Sequence, residues 1–230
     1  SQSGVIQAFN KHGRREMLEW CDKAYDYVQQ IDKEFSDWLC VPRSKRTTSI
    51  KPSGTVSLLN GSTPGIHYPE AEYYIRRIRF SIGNAILKAI EDAGYHIEKD
   101  AYSPNTMVAS FPVHEPFFKK GKNEATMWEQ LEIAAAYQHY WADNSVSVTV
   151  TFKGDEAKDI KTALEMYESR LKAVSFLRYQ ETGYEQAPYE PITKEQYEEM
   201  SKDIVPIQRI ETEQQGAGTV FCDGDSCEIG

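Results

Sequence analysis

Stretches with a helical spacing of apolar residues alternate along this chain with short stretches rich in β-branched residues, and this order constrains the fold more than any other feature. The helical spacing occurs in the stretches 14–39, 84–92, 125–141 and 155–172. The strand candidates are 47–50, 106–113, 145–152 and 173–177. In 145–152, apolar residues alternate with Ser and Thr, which is typical of a half-buried strand. The order predicts an α/β architecture with mainly parallel strands.

Composition limits the classes of function. The chain has 230 residues, of which 40% are hydrophobic, enough for a sizeable core in one domain or in a large piece of one. Its net charge of −9 argues against a surface that binds a nucleic acid polymer. No apolar run is long enough to span a membrane. The four cysteines are ordinary for a reducing compartment, so we expect a cytoplasmic protein.

The stretch 49–59, SIKPSGTVSLL, has the pattern of a strand end, a Pro-Ser-Gly turn and a helix start. Such a junction directs several main-chain N–H groups at one point, where the helix dipole favours negative charge. We therefore predict a phosphate site formed by the amides of Ser53, Gly54, Thr55, Val56 and Ser57, with the Ser and Thr hydroxyls as further donors. The alternative is an N-capped helix without a ligand, and the Gly-x4-Gly-Lys pattern of P-loops is absent.

A second candidate site lies close to the C-terminus, where Cys222 and Cys227 enclose the sequence Asp-Gly-Asp-Ser. The preceding residues, rich in Gln and Gly, have the composition of a flexible linker. We predict a catalytic barrel portion at 1–205 and a flexible redox tail at 206–230, with the cysteines as an exchanging dithiol. The alternatives are half of a zinc site and a static disulfide.

Other polar residues carry weaker signals. No two histidines have the spacing of metal ligands, and we predict no metal site. His67 and Tyr68 follow a Pro-Gly turn and could either approach a ligand or pack in the core. Asp143 and Asn144 could cap a turn or line a pocket. The run 76–79, Arg-Arg-Ile-Arg, is interpreted as a solvated or ion-paired edge, and Cys21 and Cys40 as core residues or bystanders.

Several blocks together resemble one family. IKPSGTVSLL with STPGIHYPEAEYYIRR resembles the substrate-phosphate loop of the adenosylcobalamin-dependent ribonucleotide reductases, most closely the monomeric type that uses triphosphates. WADNSVSVTVTF resembles a late barrel strand of that family, and LKAVSFL with APYEPITKEQYEE resembles its last strand and the exit from the barrel. The ending CDGDSC resembles its swinging-arm dithiol. These blocks extend from residue 47 to the end of the chain.

The resemblance implies the C-terminal part of a ten-stranded α/β barrel with a flexible C-terminal tail. It also implies thiyl-radical reduction of ribonucleoside triphosphates to deoxyribonucleotides with adenosylcobalamin as cofactor. In the family, a cysteine thiyl radical removes the 3′ hydrogen, and a cysteine pair delivers the reducing equivalents at the 2′ carbon. By this resemblance, Cys222 and Cys227 would re-reduce that pair and be renewed by thioredoxin or a similar dithiol. Residues 53–57 would hold the substrate phosphates.

Two departures from the family pattern refine this expectation. Val174-Ser-Phe-Leu177 stands where the iron-dependent class carries a tyrosine pair, which favours the cobalamin class. The Asn-x-Cys-x-Glu motif of the radical cysteine does not occur in the chain. We therefore expect the chain, which begins at Ser1, to need an N-terminal partner and to be inactive without it. The alternatives are a non-catalytic nucleotide-binding or regulatory module that kept the fold, and a zinc-binding interaction domain.

Overall fold

A computed structural model of the chain describes residues 1–53, 57, 61–179 and 185–207. The helices are α1 (Val5–His12), α2 (Arg14–Leu39), α3 (Ile86–Asp92), α4 (Met127–Tyr140), α5 (Ile160–Tyr167) and α6 (Lys194–Ser201), with a 3-10 turn at Ala157–Asp159. The strands are β1 (Tyr73–Ser81), β2 (His96–Lys99), β3 (Thr106–His114), β4 (Thr149–Phe152), β5 (Ser175–Arg178) and β6 (Tyr189–Pro191). The described helices include none that is both long and apolar enough to cross a membrane.

Helix α4 is the centre of the core. Its residues Met127, Leu131, Ala134 and Tyr137 are each at most 1% exposed. Alanines at 134–136 let neighbouring elements approach the helix closely, and α2, α5 and β4 pack against it. A capping box between Thr126 and Glu129 fixes its first turn. The C-terminus of this central helix supports the segment that enters the 53–57 loop.

The strands form two sheets of different type. One is antiparallel, with the order β2-β3-β1-β6, and β1 pairs with β3 over nine residues from Tyr73↔His114 to Ser81↔Thr106. The other contains β4 and β5 in parallel, and an isolated parallel bridge joins Ile50 to Val146 beside them. The fold is mixed α/β.

The prediction of mainly parallel strands was wrong for the described residues, because the larger sheet is antiparallel. The main cause is β1, whose residues 76–79 were interpreted as a solvated or ion-paired edge and instead lie in an inner strand of that sheet. The ion-paired alternative is correct for two of its arginines: Arg77 lies 2.5 Å from Glu190 and Arg79 lies 2.5 Å from Asp100. Paired arginines can occupy a strand without a free charged face. Closure into a ten-stranded barrel remains a prediction.

The bounds of α2 agree with the sequence prediction, but its buried face is shorter than expected. Cys21 is 2% exposed, whereas Phe35 and Leu39, which continue the helical spacing of apolar residues, are 50% and 68% exposed. The helix therefore contributes to the described core mainly through its first half.

The last described residues are held by contacts with β1 and with the residues that follow α3. Tyr197 of α6 packs 5.2 Å from Tyr73 of β1, measured between ring centroids. Beyond α6, the Val205 N–H donates to the Ala93 carbonyl over 3.0 Å. Gly94 has a φ of +89°, and a Cβ there would lie 2.7 Å from the Asp203 carbonyl oxygen, so glycine permits this close approach.

Candidate functional site

The segment that enters the 53–57 loop is held by the C-terminal end of α4 and by residues 146–147, which precede β4. Ile50 is fully buried, and its carbonyl accepts from the Ser147 N–H over 3.0 Å. The Trp141 indole N–H donates to the Ser49 carbonyl over 3.1 Å. The next residue, Lys51, donates its N–H to the Ser1 hydroxyl over 3.0 Å. The chain therefore reaches the loop from a fixed direction. Of the predicted strand 47–50, only the Ile50 bridge is formed.

Asp143 fixes the start of that segment. Its carboxylate accepts from the Tyr25 hydroxyl (2.7 Å), the Thr47 N–H (3.0 Å) and the Thr47 hydroxyl (2.9 Å). Burial alone would raise the pKa of Asp143, but these hydrogen bonds outweigh it and hold the pKa below its usual value. Asp143 thus joins α2, the loop entry and the end of α4 through long-range hydrogen bonds, which is neither of the two predicted roles of capping its own turn or lining a pocket.

Within the predicted phosphate loop, the structure describes Ser53 and Ser57, while Gly54, Thr55 and Val56 lie outside the described residues. Ser57 is helical and 3% exposed. Its hydroxyl donates to the Ser53 carbonyl, and its own carbonyl accepts from the Ser62 N–H over 3.0 Å. The Ser57 side chain therefore connects the two ends of the predicted loop. The binding of phosphate by the five main-chain amides stays a prediction.

The segment that leaves the loop, residues 61–65, is held by the N-terminal residues of the chain. The Gly4 N–H donates to the Thr63 carbonyl over 2.8 Å, and the Val5 N–H donates to the Gly65 carbonyl over 3.3 Å. These bonds fix residues 61–65, which we call the exit segment, against the start of α1.

A cavity of about 170 Å³ opens directly beyond the exit segment. It is lined by Thr63, His67, Tyr68, Tyr74, Lys122 and Gln130, among others. The Thr63 hydroxyl is buried and has no hydrogen-bond partner among the described residues. A buried hydroxyl on a cavity wall can bond a ligand or an ordered water without disturbing the fold. His67 and Tyr68, noted in the sequence as candidate ligand contacts, both line this space.

His67 has a single protonation state in this geometry. Its Nε2 accepts from the Thr149 N–H over 3.1 Å, so the proton lies on Nδ1, which donates to the Pro64 carbonyl over 3.0 Å. Burial lowers the pKa of His67 below its usual 6.5, with a smaller opposing effect from the Pro64 carbonyl. The neutral ring thus connects the turn after the loop to β4.

Glu115, on the other side of the exit segment, is a second buried titratable group. It is 3% exposed, and its Oε1 accepts a hydrogen bond from the Gln7 amide. Burial raises the pKa of Glu115 to about 7, and the hydrogen bond from Gln7 opposes that rise. Neither residue carried a signal in the sequence, because they are 108 positions apart.

The predicted redox cysteines, Cys222 and Cys227, lie outside the described residues, as does most of the predicted tail. Of the other two cysteines, Cys21 is buried in the core, as one of the two predicted roles requires, and burial raises the pKa of its thiol. Cys40 is exposed at the C-terminus of α2. Across residues 1–53, 57, 61–179 and 185–207, no three His, Cys, Asp or Glu side chains are grouped to hold a metal ion.

Comparison with solved structures identifies the class of protein to which this arrangement belongs. A crystal structure of a B12-dependent (class II) ribonucleotide reductase superposes with a TM-score of 0.77 at 35% sequence identity, over 86% of this chain and 28% of that one. The described fold is therefore that of part of a class II ribonucleotide reductase.

Comparison with curated proteins agrees and is more specific. The adenosylcobalamin-dependent ribonucleoside-triphosphate reductase of Euglena gracilis is 42% identical over 99% of this chain, and that of Lactobacillus acidophilus is 37% identical over 92%. A probable enzyme of the same name from Dictyostelium discoideum is 39% identical over 100% of the chain. No family model matches. The chain is thus a homologue of part of the adenosylcobalamin-dependent ribonucleoside-triphosphate reductases, as its sequence blocks indicated.

The match covers only part of each relative. The chain spans 32% of the Euglena gracilis protein, 31% of the Dictyostelium discoideum protein and 30% of the Lactobacillus acidophilus protein. It is therefore a partial piece by comparison with them.

Proposed function

We propose that the chain is the C-terminal part of an adenosylcobalamin-dependent reductase that converts ribonucleoside triphosphates to 2′-deoxyribonucleotides. In this proposal it contributes the substrate-phosphate loop at 53–57 and the tail dithiol of Cys222 and Cys227. The observation that carries the proposal is the similarity to reductases of this name along essentially the whole chain, 42% over 99% of its length in one case. The N-terminal part of the reductase supplies the radical cysteine and the active-site cysteine pair.

The loop surroundings support a role in holding the triphosphate. The entry is fixed by Ile50 and Trp141, and the exit is fixed by the backbone of Gly4 and Val5. Fixing both ends of a loop reduces the number of conformations that its residues can adopt, which lowers the entropic cost of binding an anion. The cavity beyond the exit segment, with the unpartnered Thr63 hydroxyl, offers space next to the phosphates.

The proposed redox step conserves atoms and electrons. The active-site dithiol gives two electrons and two protons, the 2′ hydroxyl leaves as water, and the dithiol becomes a disulfide. A thiolate of the Cys222–Cys227 pair then attacks that disulfide, and the second cysteine of the pair resolves the mixed disulfide. The active-site dithiol is thereby regenerated, and the disulfide is now in the tail. Thioredoxin or a similar dithiol reduces the tail in the same way.

Adenosylcobalamin, when bound, supplies the radical that starts the reaction. His67, the histidine that lines the cavity, does not fit as a ligand of the cofactor, because both of its ring nitrogens are engaged by backbone groups. The cofactor would be held by the N-terminal part of the reductase.

The loop is tested by a bulky substitution in the reductase assembled from this chain and its N-terminal part. Gly54→Val places a branched side chain where the phosphates would approach, so we expect the KM for the triphosphate to rise at least tenfold. Gly154→Val is the matched control, since Gly154 lies in an exposed turn beside Arg178. An unchanged KM for Gly54→Val would contradict the loop's role. Binding of triphosphate without turnover by the assembled wild type would favour the non-catalytic module.

The tail is tested separately by Cys222→Ser and Cys227→Ser. Each should abolish turnover with thioredoxin and spare turnover with a small dithiol, because the small reductant reaches the active site directly. Cys40→Ser, at an exposed position outside the proposed machinery, should affect neither. Equal loss with both reductants would reject the tail's role.

A further inference from the structure

Three hydrogen bonds converge on the side chain of Gln7 at the exit segment. Its Nε2 donates to the Gly61 carbonyl over 2.8 Å and also to the Glu115 carboxylate. Its Oε1 accepts from the Thr63 N–H over 3.1 Å. One amide side chain therefore binds the backbone at two positions of the segment, two residues apart, and is itself held from behind by a buried acid.

The surroundings leave Gln7 little freedom. Gly4, one turn earlier, has a φ of +71°, and a Cβ at that position would lie 2.8 Å from the Gln7 Oε1. Glycine thus allows the amide to lie against the backbone. On the same helix, Asn10 donates to the Phe117 carbonyl over 2.9 Å, so α1 is joined to the 115–117 turn at two points.

We propose that Gln7, oriented by Glu115, is a positioning residue that sets the conformation of the exit segment and thereby the affinity of the 53–57 loop for the triphosphate. This inference rests on the proposed function of the loop. Gln7 acts through the backbone of Gly61 and Thr63, and Thr63 is one of the residues that line the cavity. Glu115 acts on Gln7 by fixing which end of its amide faces Gly61.

The experiment uses the assembled reductase with adenosylcobalamin and a ribonucleoside triphosphate. Gln7→Ala removes all three bonds and leaves the Thr63 N–H without its acceptor, so we expect the KM to rise about tenfold while kcat stays within about twofold. A general loss of structure would instead lower kcat in proportion to the active fraction and leave the KM unchanged. An unchanged KM would overturn the proposal.

A matched control is present in the same chain. Gln30 donates to Glu34 over 2.9 Å on the exposed surface of α2, which is also a Gln–Glu pair but touches no part of the loop. Gln30→Ala and Gln30→Glu should leave both kinetic constants unchanged.

If the Gln7→Ala variant does not assemble, exchanging the two residues Gln7 and Glu115 tests the proposal. Gln7→Glu alone leaves the Gly61 carbonyl without its donor and places two carboxyl groups together, which disfavours ionisation of both, so it should raise the KM. Adding Glu115→Gln restores a donor between the two side chains while the introduced carboxylate still accepts from Thr63. The bond to Gly61 is not restored, so we expect the KM to return to within about threefold of the wild type. A double variant no better than Gln7→Glu would overturn the proposal.

Failure of this proposal is distinguishable from failure of the loop's function. If Gly54→Val raises the KM and Gln7→Ala does not, the loop binds phosphate and Gln7 does not position it. If Gly54→Val leaves the KM unchanged, the loop does not bind phosphate, and the proposal for Gln7 is overturned together with it.

Discussion

At the scale of single residues, polar side chains with defined partners hold the chain on both sides of the loop. Asp143 fixes the entry and is ionised, because its hydrogen bonds stabilise the carboxylate. Glu115 lies beside the exit and has one side-chain donor, so burial dominates and favours its protonated form. Two carboxyl groups with similar structural roles thus have pKa values shifted in opposite directions.

The raised pKa of Glu115 predicts a specific dependence of stability on pH. Between its ordinary pKa of 4.5 and about 7, the folded protein keeps a proton that the unfolded chain has released. The free energy of unfolding therefore falls as pH rises through this window, by on the order of 3 kcal/mol. Glu115→Gln keeps an acceptor for Gln7 and has no such proton, so it should gain stability relative to wild type between pH 5 and pH 8.

Urea unfolding of both proteins at the two pH values measures this change. Glu165→Gln is the control, because Glu165 pairs with Lys161 at 3.9 Å on the surface, where an ion pair contributes little. If the difference between wild type and Glu115→Gln is the same at pH 5 and pH 8, the burial argument for Glu115 is wrong.

At the scale of elements, the edge strand β6 is held by the arginines of β1 as well as by its ladder. β6 has three residues, but Arg76, Arg77 and Arg79 donate to the carbonyls of Pro188, Ala187 and Gln186, over 3.0 to 3.1 Å. Arg76 also lies over the Tyr189 ring at 4.3 Å. A short edge strand is thereby fixed by side chains from its neighbour.

Arg77→Lys should loosen this edge. Arg77 is about one-eighth exposed and uses its planar group to reach both the Ala187 carbonyl and Glu190, which a single ammonium cannot do with the same geometry. We expect a loss of about 1–2 kcal/mol in stability and faster hydrogen exchange at the Ile192 amide, which donates to Tyr73. Arg15→Lys, at a solvent-exposed pair with Glu19, should change neither. Unchanged exchange at Ile192 would show that the ladder alone holds β6.

How much could be predicted from the sequence differs between these elements. The bounds of α2 follow from the spacing of its apolar residues, and the quoted blocks were enough to indicate the reductase family. β1 was missed because three arginines in a strand indicate solvent unless their partners are known, and those partners lie in β6, in 186–188 and at Asp100. The hydrogen bond from Gln7 to Glu115 could not be predicted from the sequence either, because only folding brings these two residues together.

At the scale of the whole molecule, the chain is a partial piece by comparison with its relatives. The exposed aromatic and aliphatic side chains near the end of α2, including Phe35, Trp38 and Leu39, agree with a chain that spans about a third of its relatives. The proposed division of labour is that this part holds the substrate's phosphates and carries the tail dithiol. The rest then holds the cofactor and generates the radical.

In the proposed function, the tail begins where the Val205 N–H donates to the Ala93 carbonyl. Seventeen positions separate Val205 from Cys222, and a flexible linker of that length would have a root-mean-square span of about 23 Å. We therefore expect the length of this linker to set the effective concentration of thiol at the proposed active site. A Gly-Ser insertion after Ile207 that doubles its length should slow disulfide transfer to the tail about threefold in a single turnover, and leave turnover with a small dithiol unchanged. An unaltered transfer rate would show that the length of this segment does not limit disulfide transfer.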